Sequence, residues 1–337
     1  LEEALASVQA RLTPQDGGFI EVASQPRPGP REYTVDRIVP KNKITSVFAD
    51  GGTGKTYFSM VIATMVVMGR KFLGELHCQQ GNVLYLDFED DAEEFVRRVF
   101  EIGRGLGLDA LPQGLFYRRF TKPLGEVVFE VMQAVSERDI KLVIVDSFGA
   151  ACGGDAERSG DSIRTMQLLQ AIPATVLLND HEPKPMPGRV QSQFGSIYKR
   201  NLSRSQLRLE DRGFPEPGKH ALILWHTKLN VGPLRGKMPL YLRFEADTVY
   251  LDKGGVDDPA FADDQGVVEQ VLGVLETLGK GTAVQVAENL GRKEAYIRNV
   301  LTRLVKAKRV VHGGKEGKAI VYVLPEAKSE SNVGNGG

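Results

Sequence analysis

Between Val35 and about Leu251, short β-branched and apolar runs alternate with longer stretches of helical period. Residues 44–48 (ITSVF), 82–88 (NVLYLDF), 141–146 (KLVIVD) and 174–179 (ATVLLN) read as buried strands, and enough chain separates each from the next for a crossover helix. That alternation predicts a twisted, mainly parallel sheet in an α/β domain. Three later runs, 205–209, 221–226 and 240–244, lie too close together for crossover helices and predict an antiparallel edge. Beyond them, residues 266–278, 282–290 and 293–306 carry apolar positions at helical spacing. They are followed by a strand at 309–312, a turn at 313–317 and a strand at 319–324. Three helices and a hairpin in about 60 residues is the layout of a winged helix-turn-helix.

The segments between these blocks set the expected boundaries. Residues 1–35 open on a short helical pattern and end in PRPGPRE, an arm or linker. The α/β domain then covers 36–255, an acidic stretch VDDPAFADD marks a linker at 256–264, the small domain covers 265–325, and 326–337 is a low-complexity tail expected to be disordered.

Composition narrows the classes. With 337 residues, 42% hydrophobic and 26% charged, the chain has the make-up of a globular protein. No apolar run approaches the roughly 20 residues of a membrane span, and no leader pattern opens the sequence, so a cytoplasmic protein without membrane contact is expected. Cys78 and Cys152 lack metal-ligand spacing and fit a reducing compartment. The 43 basic and 43 acidic residues balance, so any nucleic-acid face has to be local. Residues 265–325 supply one, with 10 Lys/Arg against 5 acidic residues. Arg292, Lys293, Arg298 and Arg303 are its candidate DNA contacts. A protein-binding winged helix with a solvated basic surface fits the same pattern.

The most informative stretch is ADGGTGKT at 49–56, a glycine-rich turn between a strand and a long apolar helix. Backbone amides from Asp50, Gly51, Gly52, Thr53, Gly54, Lys55, Thr56 and Tyr57 would cradle a nucleotide's phosphates at the positive end of the helix. Lys55 would reach the outer phosphates, and the Thr56 hydroxyl would ligate Mg²⁺. Ala49 stands where such loops usually begin with glycine, leaving Gly51, Gly52 and Gly54 to supply the unusual dihedrals. The strand 141–146 ends at Asp146, a second metal-holding oxygen. The strand 82–88 runs into Glu89, the candidate water-activating base.

In this order (phosphate loop, strand ending LDFED, apolar strand ending DS, strand ending NDH) the chain resembles the RecA-like ATPases of the plasmid and phage RepA replicative-helicase group, relatives of the hexameric DnaB-type helicases. The similarity runs from about Val35 to Phe244. The resemblance implies an Mg²⁺-dependent ATP hydrolase with a RecA-like P-loop core. Glu89 is implied as catalytic glutamate, Arg98 as a group that steadies it, Asp146 as the metal aspartate and His181 as the γ-phosphate sensor. In NLSRSQLRL (201–209) Arg204 stands in the place of the arginine finger, and in HTKLNVGP (226–233) Lys228 stands in the place of its companion, while Asn230 replaces an arginine common in DnaB-type relatives. Both cations would act in trans, which implies a homo-oligomeric ring, commonly a hexamer. As edge-strand gatekeepers, Arg204, Arg208 and Lys228 would instead discourage aggregation. The irregular stretches 149–161 and 182–194, the second with Lys184 and Arg189, would face the channel and track DNA, or form ordinary surface loops. Two functions remain in view: a DNA helicase or translocase of a plasmid, phage or other mobile element, and an ATP-switched DNA-binding regulator without unwinding activity.

Overall fold

A computed structural model describes residues 21–154, 159–181, 197–255, 261, 267–292, 294–306, 309–317 and 319–325. Contacts divide the chain into two units, 1–255 and 256–337. The helical pattern at 1–12, the loop with Lys184 and Arg189, Lys293 and the tail at 326–337 lie outside the described residues.

The first unit opens with a hairpin of β1 (Tyr33–Val35) and β2 (Val39–Pro40). Then come β3 (Ile44–Ala49), α1 (Lys55–Met68), β4 (Asn82–Asp87), α2 (Ala92–Gly105), β5 (Leu115–Arg119), α3 (Leu124–Glu137) and β6 (Ile140–Asp146). The chain continues through α4 (Phe148–Cys152), α5 (Ser159–Ala171), β7 (Thr175–His181), α6 (Ile197–Leu202), β8 (Ser205–Asp211), β9 (Lys219–Leu229), β10 (Met238–Glu245) and β11 (Thr248–Lys253). Nine strands form one sheet in the order β11-β10-β9-β8-β3-β7-β6-β4-β5. The six from β8 to β5 are parallel, and β9, β10 and β11 add an antiparallel meander. This is the mainly parallel sheet with an antiparallel edge that the patterning predicts. Strands β5 and β11, at the two sheet edges, are additional to the predicted ones.

Alternation of side chains buries both faces. Val83, Tyr85, Leu142, Ile144 and Leu177 join one cluster with Phe58, Ile62 and Val66 of α1 and Phe95, Val99 and Ile102 of α2. Their neighbours Leu84, Leu86, Val143, Val145, Val176 and Leu178 join another with α3, Phe148 and Ala151 of α4, and Met166 and Leu169 of α5. Helix α1 is apolar nearly all round because the sheet and neighbouring elements cover most of its surface. It ends where Gly69 turns left-handed and donates back to the Met65 and Val66 carbonyls. The irregular stretch expected from 149 is helical at its start, because Phe148 and Ala151 bury against the second cluster.

Register aligns the chemistry. Ala49 pairs with His181, and Asp87 with Asp146, so the carboxyl ends of β3, β7, β6 and β4 emerge along one sheet edge. Among the described residues no helix is long and apolar enough to cross a membrane.

The second unit contains α7 (Val267–Leu278), β12 (Gly281–Thr282), α8 (Ala283–Asn289), α9 (Glu294–Lys306), β13 (Val311–Glu316) and β14 (Ala319–Val323), with sheet order β12-β14-β13. Its core gathers Val271, Leu275, Val286, Ile297, Leu301, Leu304 and Tyr322. Thr282 and Gln285 cap α8 reciprocally, at 3.3 and 2.8 Å. The turn expected at 313–317 is displaced. Gly313 and Gly314 form an irregularity inside β13, with Gly314 at φ 109°, and the pairs Lys315 with Ile320 and Glu316 with Ala319 show that the strand pairing continues past them.

Candidate active site

The turn after β3 adopts the dihedrals that only glycine accepts freely at Gly52 (φ 75°) and Gly54 (φ 94°). Gly51 is not left-handed, which corrects the expectation that all three glycines are needed for their dihedrals; a Cβ there would meet open space. At Gly54 a Cβ would also come within 2.8 Å of Leu242, so both conformation and packing demand glycine. Lys55 is only 8% exposed, and its Nζ donates to the carbonyls of Ala49 at 3.1 Å and Asp50 at 3.0 Å. Burial pushes the ammonium below the ordinary lysine value, and the surrounding Asp146, Glu89, Asp180 and Asp50 partly hold it up.

Opposite the loop, Asp146 Oδ2 accepts from Thr56 Oγ1 at 2.8 Å and from Tyr85 Oη at 2.6 Å. Burial pushes its carboxyl above the ordinary value, while Tyr85, Thr56 and Asn179 pull the other way. Ser59 Oγ donates to Asn179 Oδ1 at 2.7 Å. The peptide joining Asp146 to Ser147 is cis.

Asp87 shapes the turn that presents Glu89. Its Oδ1 accepts the amides of Glu89 and Asp90, both at 2.9 Å, and its Oδ2 accepts Tyr117 Oη at 3.2 Å. Glu89 Oε1 accepts a hydrogen bond from Ser147 Oγ and stands 3.8 Å from His181 Nε2. His181 first, then Ser147 and Lys55, hold the Glu89 carboxyl below the ordinary carboxylate value against the opposing effect of burial. Arg98 does not touch Glu89, contrary to the sequence expectation. It pairs with Asp90 at 2.9 Å and Glu94 at 2.8 Å, and lies over the Tyr57 ring at 5.5 Å. Its place one turn past Glu94 on α2 favours the i, i+4 pair.

These groups line an open cleft of about 360 Å³. Its lining combines the glycine loop, Lys55, Thr56, Glu89 and Asp146 with the apolar side chains of Tyr57, Phe214, Leu242 and Phe244. Phe214 is 63% exposed and stacks on His220 at 4.2 Å, and Tyr57 meets Phe244 edge-on at 5.2 Å.

Residues 10–186 match the family model AAA_25, described as an AAA domain. The chain belongs to the AAA_25 family. The AAA_25 region spans β3 to β7 and thus contains the glycine loop, Lys55, Thr56, Glu89, Asp146 and His181, making the first unit a P-loop ATPase of RecA-like kind. Comparison with the curated proteins gives no match to the chain.

A nucleotide and its metal fit the AAA_25 site on structural grounds. Gly51 and Gly52 leave open space where side chains would intrude. Thr56 and Asp146 offer two hard oxygens beside one another, the donor type magnesium takes. Among the described residues no group of three or more His, Cys, Asp or Glu could hold a metal alone, so phosphate oxygens would have to complete the coordination.

The other sequence candidates lie elsewhere. The Arg204 amide bonds the Ile44 carbonyl at 2.9 Å, at the start of β3. With five residue steps of about 3.3 Å between Ile44 and Ala49, Arg204 sits roughly 17 Å from its own phosphate loop. It is exposed, whereas Lys228 is engaged: its Nζ donates to the Arg200 carbonyl and to Ser203 O at 2.7 Å, at the C-terminal end of α6. Burial lowers the Lys228 ammonium's pKa, with Arg204 and Arg200 adding to the effect. Arg208 pairs with Glu210 and lies over Trp225. In the second unit Arg292 is exposed, and Arg298 pairs with Glu294. The Arg303 side chain lies outside the described residues. Tyr85, Tyr117, Ser147, Asn179, Phe214 and Phe244 belong to the site and were not among the predicted residues. Tyr85 carries the one sequence signal: it shares the face of Asp87, two positions ahead of it on β4.

Proposed function

We propose that the chain is an Mg²⁺-dependent ATPase that acts on DNA as a ring-forming helicase or translocase, with its second unit serving as a winged helix. The observation that carries the hydrolytic half is the placement of Glu89 across the cleft from Lys55, held by Ser147 beside the Thr56–Asp146 pair. Lys55 and the loop amides bind the phosphates, and Thr56 and Asp146 hold the metal. A bound magnesium ion would offset charge on the phosphate oxygens. Glu89, kept ionised, accepts the proton of the attacking water, and His181 and Ser147 fix its orientation. The aromatic rim of Phe214 and Phe244 seats the base, with ATP the nucleotide that the family likeness favours.

Ring formation is supported by Arg204, an exposed cation too far from its own phosphate loop to serve it and suited to reach a neighbour's. DNA action is supported by the helix content and hairpin of the second unit and by its excess of basic residues, Arg292, Lys293, Arg298 and Arg303 among them. Lys184 and Arg189 would add contacts along a single strand. The test is steady-state ATP hydrolysis by the full chain with single-stranded DNA, duplex DNA or neither, at fixed salt. Stimulation by single strands supports the motor. Duplex binding without stimulation would assign the ATP-switched regulator instead.

A further inference from the structure

Lys199 and Asp180 form a buried ion pair of 2.8 Å next to the cleft, with exposures of 0% and 2%. Pairs of this kind are weak stabilisers, because desolvation of both charges offsets most of their attraction. The surroundings of this one give it another use. Asp180 Oδ1 accepts the amide of His181 at 2.9 Å, and His181 faces Glu89. The Lys199 ammonium also sits 4.6 Å from the centre of the Phe148 ring, and Phe148 follows Ser147, the residue that donates to Glu89. One buried cation thus touches the end of β7 and the first residue of α4, and the residue next to each contact point, His181 or Ser147, faces the same carboxylate. Lys199 is itself anchored: Ser203 Oγ donates to its carbonyl at 2.9 Å and exchanges a hydrogen bond with Ser46 Oγ of β3 at 2.6 Å. The Lys199 side chain thus joins the end of the sensor strand to the segment just after the metal strand, while its backbone is tied through Ser203 to the phosphate-loop strand.

We propose that Lys199 is a positioning residue for hydrolysis: through Asp180–His181 and Phe148–Ser147 it holds Glu89 in the orientation that activates water. The proposal rests on the reading of Glu89 as the base. Removing one partner strands a buried charge, so the variant of choice is the double substitution Asp180→Asn with Lys199→Met, which removes both charges at similar volume. In the full chain, kcat for ATP should fall at least 10-fold, while KM and the affinity for a fluorescent methylanthraniloyl ATP analogue stay within 3-fold and the thermal unfolding midpoint stays close to that of the parent. Lys199→Arg should recover part of the lost rate. A kcat within 2-fold of the parent, or a fall matched by weakened binding, would overturn the proposal.

Should the double variant not fold, Phe148→Leu carries the test instead, because it leaves the ion pair intact and removes the ring that links Lys199 to Ser147, and the same fall in kcat at unchanged binding is expected. Loss of folding in both would make the pair purely structural and would overturn the proposal as well. Glu89→Gln measured alongside separates the two ideas. Normal turnover in that variant removes the reading of Glu89 itself, whereas an inactive Glu89→Gln with a fully active double variant removes only the role of Lys199.

Discussion

Replacing Lys55 by methionine deletes the cation of the cleft and keeps most of the volume of a nearly buried side chain. The size of the effect follows from what Nζ contacts. It now gives two hydrogen bonds to neutral carbonyls, those of Ala49 and Asp50. Bonds from an ammonium to carbonyls sit near the low end of the roughly 1.5–3 kcal/mol range for hydrogen bonds to charged groups, and phosphate oxygens taking their place would move both towards the high end. The exchange is worth about 2–3 kcal/mol, or roughly 30- to 140-fold in Kd. Equilibrium titration of the full chain with a fluorescent ATP analogue in the presence of Mg²⁺ reads this directly, and thermal unfolding confirms that the variant is folded. A folded Lys55→Met chain that binds the analogue within 3-fold of the parent would refute the assignment of this loop as the phosphate cradle.

Phe214→Ala should raise KM for ATP about 2- to 12-fold with little change in kcat, the value of one aromatic contact, in steady-state kinetics. Arg204→Ala should lower turnover in trans: mixing it with an excess of Glu89→Gln subunits should restore some activity at mixed interfaces, whereas no restoration would place Arg204 outside the reaction. His226 is buried, its Nε2 pairs with Ser205 Oγ at 3.0 Å, and burial lowers its pKa to about 4. Below pH 6.5 the unfolded chain takes up a proton there that the folded chain refuses, so stability is complete above 6.5 and declines as pH falls towards 4, by about 3 kcal/mol for this group. Urea unfolding at pH 7 and pH 4 should show that decline reduced by about that amount in His226→Gln.

The phosphate loop was legible because glycine, lysine and threonine at fixed spacing carry their chemistry in the local chain, and the parallel strands because buried strands are uniformly apolar. Strand β5 was not, since Leu115–Arg119 is half-buried and ends in two exposed arginines, with no alternation to separate it from a loop. The supporting side chains of the site were hidden for a different reason. Tyr85 reaches Asp146 across two strands whose register is fixed by tertiary pairing, and Phe214 enters the cleft from the meander, far along the chain from Lys55. Arg98 was misread because its carboxylate partners, Asp90 and Glu94, are nearer along the chain than Glu89's true contacts, Ser147 and His181. Gly313 and Gly314 look like a turn in sequence, and only the pairing of Glu316 with Ala319 shows the reversal to come later.

Water activation by Glu89 is the step on which the proposed ATP hydrolysis depends. Single-turnover hydrolysis and analogue binding by Glu89→Gln, measured on the same preparation, test it most directly. With Glu89 as the base, binding should stay within 3-fold of the parent and the hydrolysis rate should fall by roughly 10²- to 10⁴-fold, the usual contribution of a general base. Parent-like hydrolysis by Glu89→Gln would contradict it.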